Sequence, residues 1–355
     1  MTMYESHSIG VVVPAYNEAG HIGDVIRSMP AYVDRIYLVD DASTDDTWTK
    51  ALSAARDGAD ATVEATADTP PAIASDGGTD ALRERAEVFP QVGRLFPMRH
   101  HENLGAGGAI KTGYFAAVRD GVDITVTIDG DGQMDPEYMP KLLDPIVSGE
   151  ADYAKGNRLL RREYRQEMPW FRFFGNSVLT FLTKVASGYW KTVDPQNGYT
   201  AISTEALESI GVESIYEYYA YLNDILVRLN TQEMRVADVA MPDKYGDEES
   251  SIKYPTYIRK VSGMLLGDFL WRLKVKYLVL DLHPLALFYF FGAGTVGVGG
   301  AGLAWAVYSK IAHGNPLFVP GALSLLILAV GTVCLLLAMV FDMQANEDRE
   351  VQIYD

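Results

Sequence analysis

Two long stretches without a charged side chain, residues 284–308 and 316–341, constrain this chain most. An α-helix rises about 1.5 Å per residue, so roughly 20 apolar residues cross the hydrocarbon core of a bilayer. Both stretches are longer than that. A surface helix of a globular protein keeps a polar face toward water, and neither stretch offers one. The sequence therefore predicts two membrane-spanning helices close to the C-terminal end.

The remaining composition excludes several classes of protein. The first residues, MTMYESHSIG, lead directly into VVVPAYNE without the basic and apolar regions of a signal peptide. Cys334 is the only cysteine and lies in the second apolar stretch, so one chain can build neither a disulfide nor a zinc cluster. The net charge of -17 disfavours a nucleic-acid partner, because nucleic acids are polyanions.

Hydrophobic patterning in the first half alternates between strand-like and helix-like segments. This alternation predicts a mainly parallel, doubly wound sheet, with Ser43 as the N-cap of its second helix. An acidic segment rich in Ala, Thr, Gly and Pro, residues 57–90, interrupts the alternation and is predicted to be a flexible surface insertion. The predicted strands cover residues 9–15, 35–40, 93–98 and 124–128, and the predicted helices cover 18–29, 43–56 and 105–119.

The second half is more mixed and ends in a long helix, predicted at residues 257–282. Shorter strands are predicted at 152–156, 199–203 and 234–241, and helices at 170–186 and 216–229. The long helix carries apolar side chains at helical spacing, namely Val261, Leu265, Phe269 and Leu273. It also carries five cations, Arg259, Lys260, Arg272, Lys274 and Lys276. This pattern favours a helix in the lipid headgroups, with a helix docked on protein as the alternative, and the cations predict a cytoplasmic flank.

The strongest motif is DGDGQ at residues 129–133, at the end of a predicted strand. Open α/β sheets bind ligands at such strand ends. Asp129, Asp131 and Gln133 offer oxygen ligands that suit Mg²⁺ or Mn²⁺. A calcium loop of the EF-hand type is excluded, because Met134 stands where glycine is needed and Pro140 where glutamate is needed. The alternative is a polar turn that caps the following helix.

Weaker motifs follow other predicted strands. DDASTDD at residues 40–46 can accept hydrogen bonds from a base or ribose, or can simply cap a helix. The glycine-rich segment 103–108 opens a helix and could let backbone approach a phosphate, although it is not a dinucleotide fingerprint. His100 and His101 are interpreted as strand-end residues. Cations suited to phosphate, or else merely solvated, are Arg158, Arg161, Arg162, Arg165, Arg172 and Lys253.

The order of these motifs resembles glycosyltransferase family 2, whose fold is GT-A. The motifs are PAYNE at 14–18, DDASTDD at 40–46, the glycine-rich turn at 103–109 and DGDGQ at 129–133. Later motifs resemble the polyprenyl-phosphate group, that is, the dolichyl-phosphate mannosyltransferases and bactoprenol glucosyltransferases. These are GNR at 156–158, Arg172, DPQNG at 194–198 and IKYP at 252–255. DPQNG stands where DPxSG is more usual, and SSIK where ESK or ETK is more usual.

The resemblance implies a role for each matching residue. The nucleotide would be held by Pro14, Tyr16, Glu18 and Asp41. Asp129 would contact the donor diphosphate-sugar, and Asp131 and Gln133 would bind Mg²⁺ or Mn²⁺ beside it. The acceptor phosphate would be held by Arg158, Arg172 and Lys253. Asp129, Asp131 and Arg158 would form the catalytic set.

The resulting expectation is a GT-A domain at residues 1–253, a juxtamembrane amphipathic helix at 254–283, spans at 284–308 and 316–341, and an acidic cytoplasmic tail at 342–355. The resemblance implies an inverting enzyme that moves one hexose from a UDP- or GDP-sugar to a polyprenyl (dolichyl) phosphate. An integral protein of the cell membrane with a cytoplasmic catalytic domain is expected, and homo-oligomerisation is left open. The alternatives are a transferase that extends a lipid-linked oligosaccharide or polysaccharide, and a membrane scaffold without turnover.

Overall fold

The computed structural model describes residues 4–58, 77–160, 170–218, 220–242, 254–280 and 282–354. Within these ranges the chain forms one nine-stranded sheet, helices on both of its faces, and a pair of long C-terminal helices. Most of the predicted insertion, residues 59–76, lies outside the described residues. Its C-terminal part is a helix and a strand, because Leu82 and Ala86 are buried in the core.

The sheet has the order β3-β4-β2-β1-β5-β7-β6-β8-β9. Its strands are β1 (Ile9–Ala15), β2 (Arg35–Asp40), β3 (Ala86–Val88), β4 (Leu95–His100), β5 (Ile124–Thr127), β6 (Tyr153–Asn157), β7 (Thr200–Ser203), β8 (Val236–Ala240) and β9 (Glu350–Ile353). Parallel pairing joins β1 to β2 and β5, β2 to β4, and β8 to β6 and β9. β7 runs antiparallel between β5 and β6, and β3 antiparallel to β4. The predicted mainly parallel α/β fold is confirmed.

Eleven α-helices surround or follow this sheet in the described residues. They are α1 (Ile22–Ser28), α2 (Thr47–Gly58), α3 (Gly77–Arg85), α4 (Gly105–Asp120), α5 (Met139–Val147), α6 (Trp170–Ser187), α7 (Thr204–Ile210), α8 (Tyr221–Thr231), α9 (Tyr254–Lys274), α10 (Pro284–His313) and α11 (Phe318–Ala345). One core cluster packs α1, α2 and α5 on one face of the sheet. A second packs α3, α4, α7 and α8 on the other.

Helix α2 begins four residues later than predicted, and Ser43 is not its N-cap. Asp45 accepts hydrogen bonds from Thr47 at the start of the helix instead. The Ser43 hydroxyl accepts the Asn17 N–H at 3.0 Å, which ties the ends of β1 and β2 together. The polar run 43–46 is therefore a loop between strand ends.

Helix α9 packs its predicted apolar face on protein, so the preferred lipid assignment of that face is wrong. Val261 and Leu265 are 3% exposed and contact α6 and α8. Leu273 is fully buried against the base of the two long helices. The periodicity marked a buried stripe, and a stripe buried by lipid has the same spacing as one buried by protein.

A buried polar network joins α9 to the end of α11. Arg272 and Asp342 are both 0% exposed and form a bidentate ion pair at 2.8 and 2.9 Å. Lys276 donates to Asn230 of α8 at 3.0 Å and to Asn346 at 2.9 Å. Two of the five cations that were predicted to flank the membrane are therefore enclosed in protein. The network fixes the long helices to the sheet domain.

Helices α10 and α11 are both long and apolar enough to cross a membrane. They span 30 and 28 residues, and only 28% and 17% of the most apolar 18-residue stretch of each helix is buried. A core helix would be buried over most of its length, whereas these helices expose large apolar side chains such as Trp305, Ile311 and Leu326. The two helices pack on each other as a hairpin.

The chain beyond α11 returns to the sheet instead of forming a simple acidic tail. β9 pairs in parallel with β8, in the register Val236 to Glu350 through Val239 to Ile353. The buried end of α11 places the chain beside this sheet edge, where β9 pairs with a strand from a distant part of the sequence. The predicted tail at 342–355 is thus partly helix and partly sheet.

Candidate active site

The carboxyl ends of β1, β2 and β5 meet at one edge of the sheet, which brings three of the predicted motifs together. The Asp41 N–H donates to the Ala15 carbonyl at 2.9 Å, and the Gly130 N–H donates to the Pro14 carbonyl at 3.1 Å. A Cβ on Gly130 would lie 2.9 Å from that Pro14 oxygen. Only glycine permits this approach, so PAYNE and DGDGQ are held in backbone contact.

The PAYNE motif forms a tight turn beside the loop 41–46, which follows β2. Asn17 adopts a φ of +59°, and its side-chain oxygen accepts the Thr44 N–H at 2.9 Å. Tyr16 is 47% exposed at the mouth of this edge. Glu18 is half-buried, and its carbonyl accepts the N–H groups of the first turn of α1. The turn therefore presents an exposed aromatic ring where a base could stack.

Asp41, predicted to hold a nucleotide, is buried and already accepts three hydrogen bonds from protein. Its oxygens lie 2.7 Å from His100 Nδ1 and 2.8 Å from the N–H groups of Leu104 and Gly105. The last two are at the N-terminus of α4, where a carboxylate is stabilised by the helix dipole. His100, interpreted from the sequence only as a strand-end residue, completes the cluster. Asp41 thus fixes the end of β2 to α4.

The glycine-rich start of α4 contacts protein backbone and not an open groove. A Cβ on Gly107 would lie 2.5 Å from the Glu217 carbonyl oxygen. The Glu217 carboxylate in turn accepts from Arg85 and Lys111, both at 2.8 Å. The glycines are needed for this packing, so the suggestion that they approach a phosphate is wrong for Gly107.

The DGDGQ loop presents its acidic side chains half-exposed at the same edge. Asp131 accepts the Gln133 N–H at 2.9 Å, and Gly132 between them has a φ of +76°. The Asp129 carboxylate lies over Gly198 of the DPQNG segment, 3.3 Å from the position that a Cβ would take there. The two motifs, about 65 residues apart in sequence, therefore share one surface.

A divalent cation fits this donor set. In the described part of the chain, no group of three or more His, Cys, Asp or Glu side chains is placed to hold a metal. Mg²⁺ usually needs only one or two carboxylates when substrate phosphates and water complete its octahedron. Asp129 and Asp131, with the Gln133 amide oxygen, supply that number. The oxygen donors of this loop therefore have the chemistry that Mg²⁺ or Mn²⁺ prefers.

Arg158 follows β6 and is paired with Asp194 of the DPQNG segment. Its Nε and Nη2 atoms lie 2.7 and 2.9 Å from the two Asp194 oxygens. Burial raises the pKa of Asp194, but the guanidinium outweighs burial and holds that pKa below its usual value. The pair keeps a cation, 23% exposed in its side chain, at the rim of the site.

Two predicted acceptor residues, Arg172 and Lys253, and three further cations that suit phosphate have side chains outside the described part of the chain. Lys253 and the three arginines at 161, 162 and 165 lie outside the described residues, as does the side chain of Arg172. The backbone of Arg172 belongs to α6. Their role stays a prediction.

Sequence reasoning missed a buried polar group beneath the DPQNG segment. Lys155, 2% exposed, donates to the carbonyls of Val193 at 2.6 Å and Asp194 at 3.0 Å and pairs with Asp238 at 3.1 Å. Asn157 donates to the same Val193 carbonyl at 3.1 Å. A lysine inside the predicted strand was the available signal, because such a residue is rarely buried without partners.

The order of the strands and the acidic loop at the end of β5 define a sheet domain of GT-A architecture. A solved structure with this fold is glucosyl-3-phosphoglycerate synthase from Mycobacterium tuberculosis in complex with Mn²⁺, UDP and phosphoglyceric acid. Its TM-score is 0.50 at 19% identity, over 76% of this chain and 80% of that one.

The chain belongs to glycosyl transferase family 2, whose model matches residues 10–65 and 72–211. It is 26% identical over 238 residues to the UDP-N-acetylglucosamine–dolichyl-phosphate N-acetylglucosaminyltransferase of Methanococcus voltae, over 67% of this chain and 86% of that protein. It is 27% identical to the polyprenol monophosphomannose synthase of Mycolicibacterium smegmatis, over 58% and 65% of the two chains. The dolichol-phosphate mannosyltransferase of Pyrococcus furiosus is 23% identical, over 62% and 52%. The resemblance to the polyprenyl-phosphate group is confirmed.

Proposed function

We propose that this protein transfers one hexose from a UDP- or GDP-sugar to a polyprenyl phosphate at the cytoplasmic face of the cell membrane. One observation carries the proposal: a family 2 domain with an acidic strand-end loop is joined to two long apolar helices. The buried Arg272–Asp342 pair is part of that junction. A polyprenyl phosphate stays in the bilayer, so its transferase must work beside a membrane. The curated relatives named above act on such lipids.

The donor would bind at the edge where β1, β2 and β5 end. Pro14, Tyr16 and Glu18 would line the nucleotide, with Tyr16 under the base, while Asp41 would keep the β2 loop in place. Asp129 would orient the diphosphate-sugar, and Asp131 with Gln133 would hold Mg²⁺ or Mn²⁺ against it. When bound, the metal would neutralise the diphosphate as it leaves.

The acceptor would need no general base. A phosphate monoester has a second pKa of about 6, so its oxygen is already a nucleophile near neutral pH. Arg158, with Arg172 and Lys253 as predicted partners, would draw this anion toward a donor that is itself anionic. Catalysis would then rest on positioning and on charge stabilisation. Direct displacement at the anomeric carbon would invert its configuration.

The experiment combines membranes that contain the full chain with polyprenyl phosphate and a panel of labelled UDP- and GDP-sugars, with and without EDTA. Transfer to the lipid should be lost in EDTA. Asp131→Asn should lower turnover at least about a hundredfold, because a lost metal ligand removes several kcal/mol of stabilisation. Asp24→Asn, at a side chain that is 82% exposed, is the matched control.

Three outcomes would count against the proposal. Near-normal turnover in Asp131→Asn would remove the metal assignment. Transfer to a lipid-linked oligosaccharide but never to bare polyprenyl phosphate would favour the chain-extending alternative. Absence of transfer from every donor would favour a scaffold without turnover.

A further inference from the structure

The segment 347–352, which follows α11, is hydrogen-bonded to the loop 190–192, which precedes the DPQNG motif. Glu350, the first residue of β9, is 8% exposed. One of its carboxylate oxygens accepts the Trp190 N–H at 2.7 Å. The other accepts the N–H groups of Lys191 at 2.7 Å and Thr192 at 2.8 Å. Three consecutive backbone donors thus converge on a single side chain.

Two further hydrogen bonds join the same segments. Gln352 donates from its side chain to the Lys191 carbonyl at 2.8 Å. Lys191 donates from Nζ to the Glu347 carbonyl at 3.0 Å. The loop is therefore held at both its N–H and carbonyl groups by residues 347–352, which lie outside the part of the chain matched by the family model.

The loop 190–192 leads directly into the DPQNG motif of the candidate active site. Thr192 is followed by Val193 and Asp194, whose carbonyls accept from the buried Lys155. The Asp194 carboxylate pairs with Arg158, and four residues later Gly198 lies against the Asp129 carboxylate. A shift of the backbone at 190–192 would move Arg158 and the floor beneath Asp129 together. Displacements of about 1 Å can cost two orders of magnitude in rate.

We propose that Glu350 is a positioning residue for sugar transfer, and that β9, which carries it, contributes to catalysis. The role rests on the proposed function, since the reaction is the one inferred above. Glu350 acts through the loop 190–194 and touches no substrate itself. It fixes the position of the Arg158–Asp194 pair relative to Asp129, and hence the position of the acceptor relative to the donor.

The test compares Glu350→Gln with Asp348→Asn in the purified full chain. Glutamine keeps the shape but turns an NH₂ group toward N–H donors, so at least one of the three bonds is lost. Asp348 is exposed in the turn just before β9, and its substitution removes the same charge. Polyprenyl-phosphate turnover, UDP and GDP binding, and hydrogen exchange are measured for each variant.

Glu350→Gln should lower kcat at least tenfold and leave UDP or GDP affinity within twofold, because the PAYNE turn follows β1, which four strands separate from β9. Exchange should accelerate in the peptide 188–198 but not in β1 or β2. Gln352→Ala, which removes one bond, should show a smaller loss of kcat in the same direction.

A kcat for Glu350→Gln within twofold of the Asp348→Asn value would overturn the proposal. So would exchange that accelerates equally across the whole sheet, since Glu350 would then serve general stability. If the unmodified protein transfers no sugar from any donor, the proposed function fails, while local acceleration at 188–198 still shows that Glu350 fixes the loop.

Discussion

Individual side chains in this protein are placed by partners far away in sequence. Asp41 meets His100 and the start of α4, and Asp129 meets Gly198. Asp268 on α9 is an exception, because one of its oxygens is buried without a hydrogen-bond partner. Burial and the neighbouring Asp224 raise the pKa of Asp268 to about 7, although Arg228 opposes them. A carboxylate in this position makes stability depend on pH.

Replacing Asp268 by asparagine should stabilise the protein more at pH 8 than at pH 5. The folded state binds the proton more tightly than the unfolded state, in which the pKa is near 3.8. The penalty therefore grows as the pH rises from about 4 to 7, and asparagine removes it. The Tm at pH 8 should rise by about 2 °C or more. Equal shifts at both pH values, or an equal shift in the exposed control Asp24→Asn, would contradict this.

Among the elements, α4 packs closely on its neighbours through glycine. Gly107 lets its first turn pass against the Glu217 carbonyl, whereas Gly267 in α9 has no atom within 4 Å of the position of a Cβ. The two glycines are thus a matched pair, one in contact and one in open space.

Gly107→Ala should destabilise the protein by about 1–3 kcal/mol, because its methyl group would overlap a backbone oxygen that cannot rotate away. Gly267→Ala should instead add roughly 0.5–1 kcal/mol through helix propensity. Thermal unfolding of the two variants under one condition measures the contrast. Equal stability would mean that the 216–218 segment yields easily to α4.

The sequence predicted elements well where local rules decide them. α4 was predicted within one residue, and Gly121, with a φ of +66°, caps its C-terminus in the structure. The DGDGQ loop was predicted from its strand and its oxygen ligands. The buried face of α9 was assigned to lipid because periodicity does not reveal what covers a stripe. β9 and Glu350 were missed because their partners lie over 100 residues away, and an alternating run of only four residues is a weak strand signal.

At the scale of the whole molecule, the long helices and the sheet form one continuous structure through Arg272, Lys276 and Asp342. With Arg272 and Lys276 enclosed, the exposed cations on α9 are Arg259, Lys260 and Lys274. The last turn of α10 carries Lys310 and His313. The cationic excess still lies on the side of the sheet domain, which supports a cytoplasmic orientation.

A cysteine placed at Asn315, between α10 and α11, should react with an impermeant maleimide added outside intact cells. The native Cys334 is first changed to serine. A cysteine at the exposed Lys50 of α2 should react only after the membrane is opened, because it lies with the catalytic domain. The reverse labelling pattern would place the sheet domain outside the cell.

The position of β9 in the chain also orders how the protein is made. Synthesis proceeds from the N-terminus, and domains tend to fold as they emerge. Here the last strand of the sheet, and with it the grip on residues 190–192, follows both apolar helices. The first eight strands can pair while the chain is on the ribosome, but β9 can join them only after α10 and α11 have been synthesised. The nascent sheet domain therefore lacks β9 until both apolar helices have been synthesised, so the hydrogen bonds between Glu350 and residues 190–192 are among the last to form.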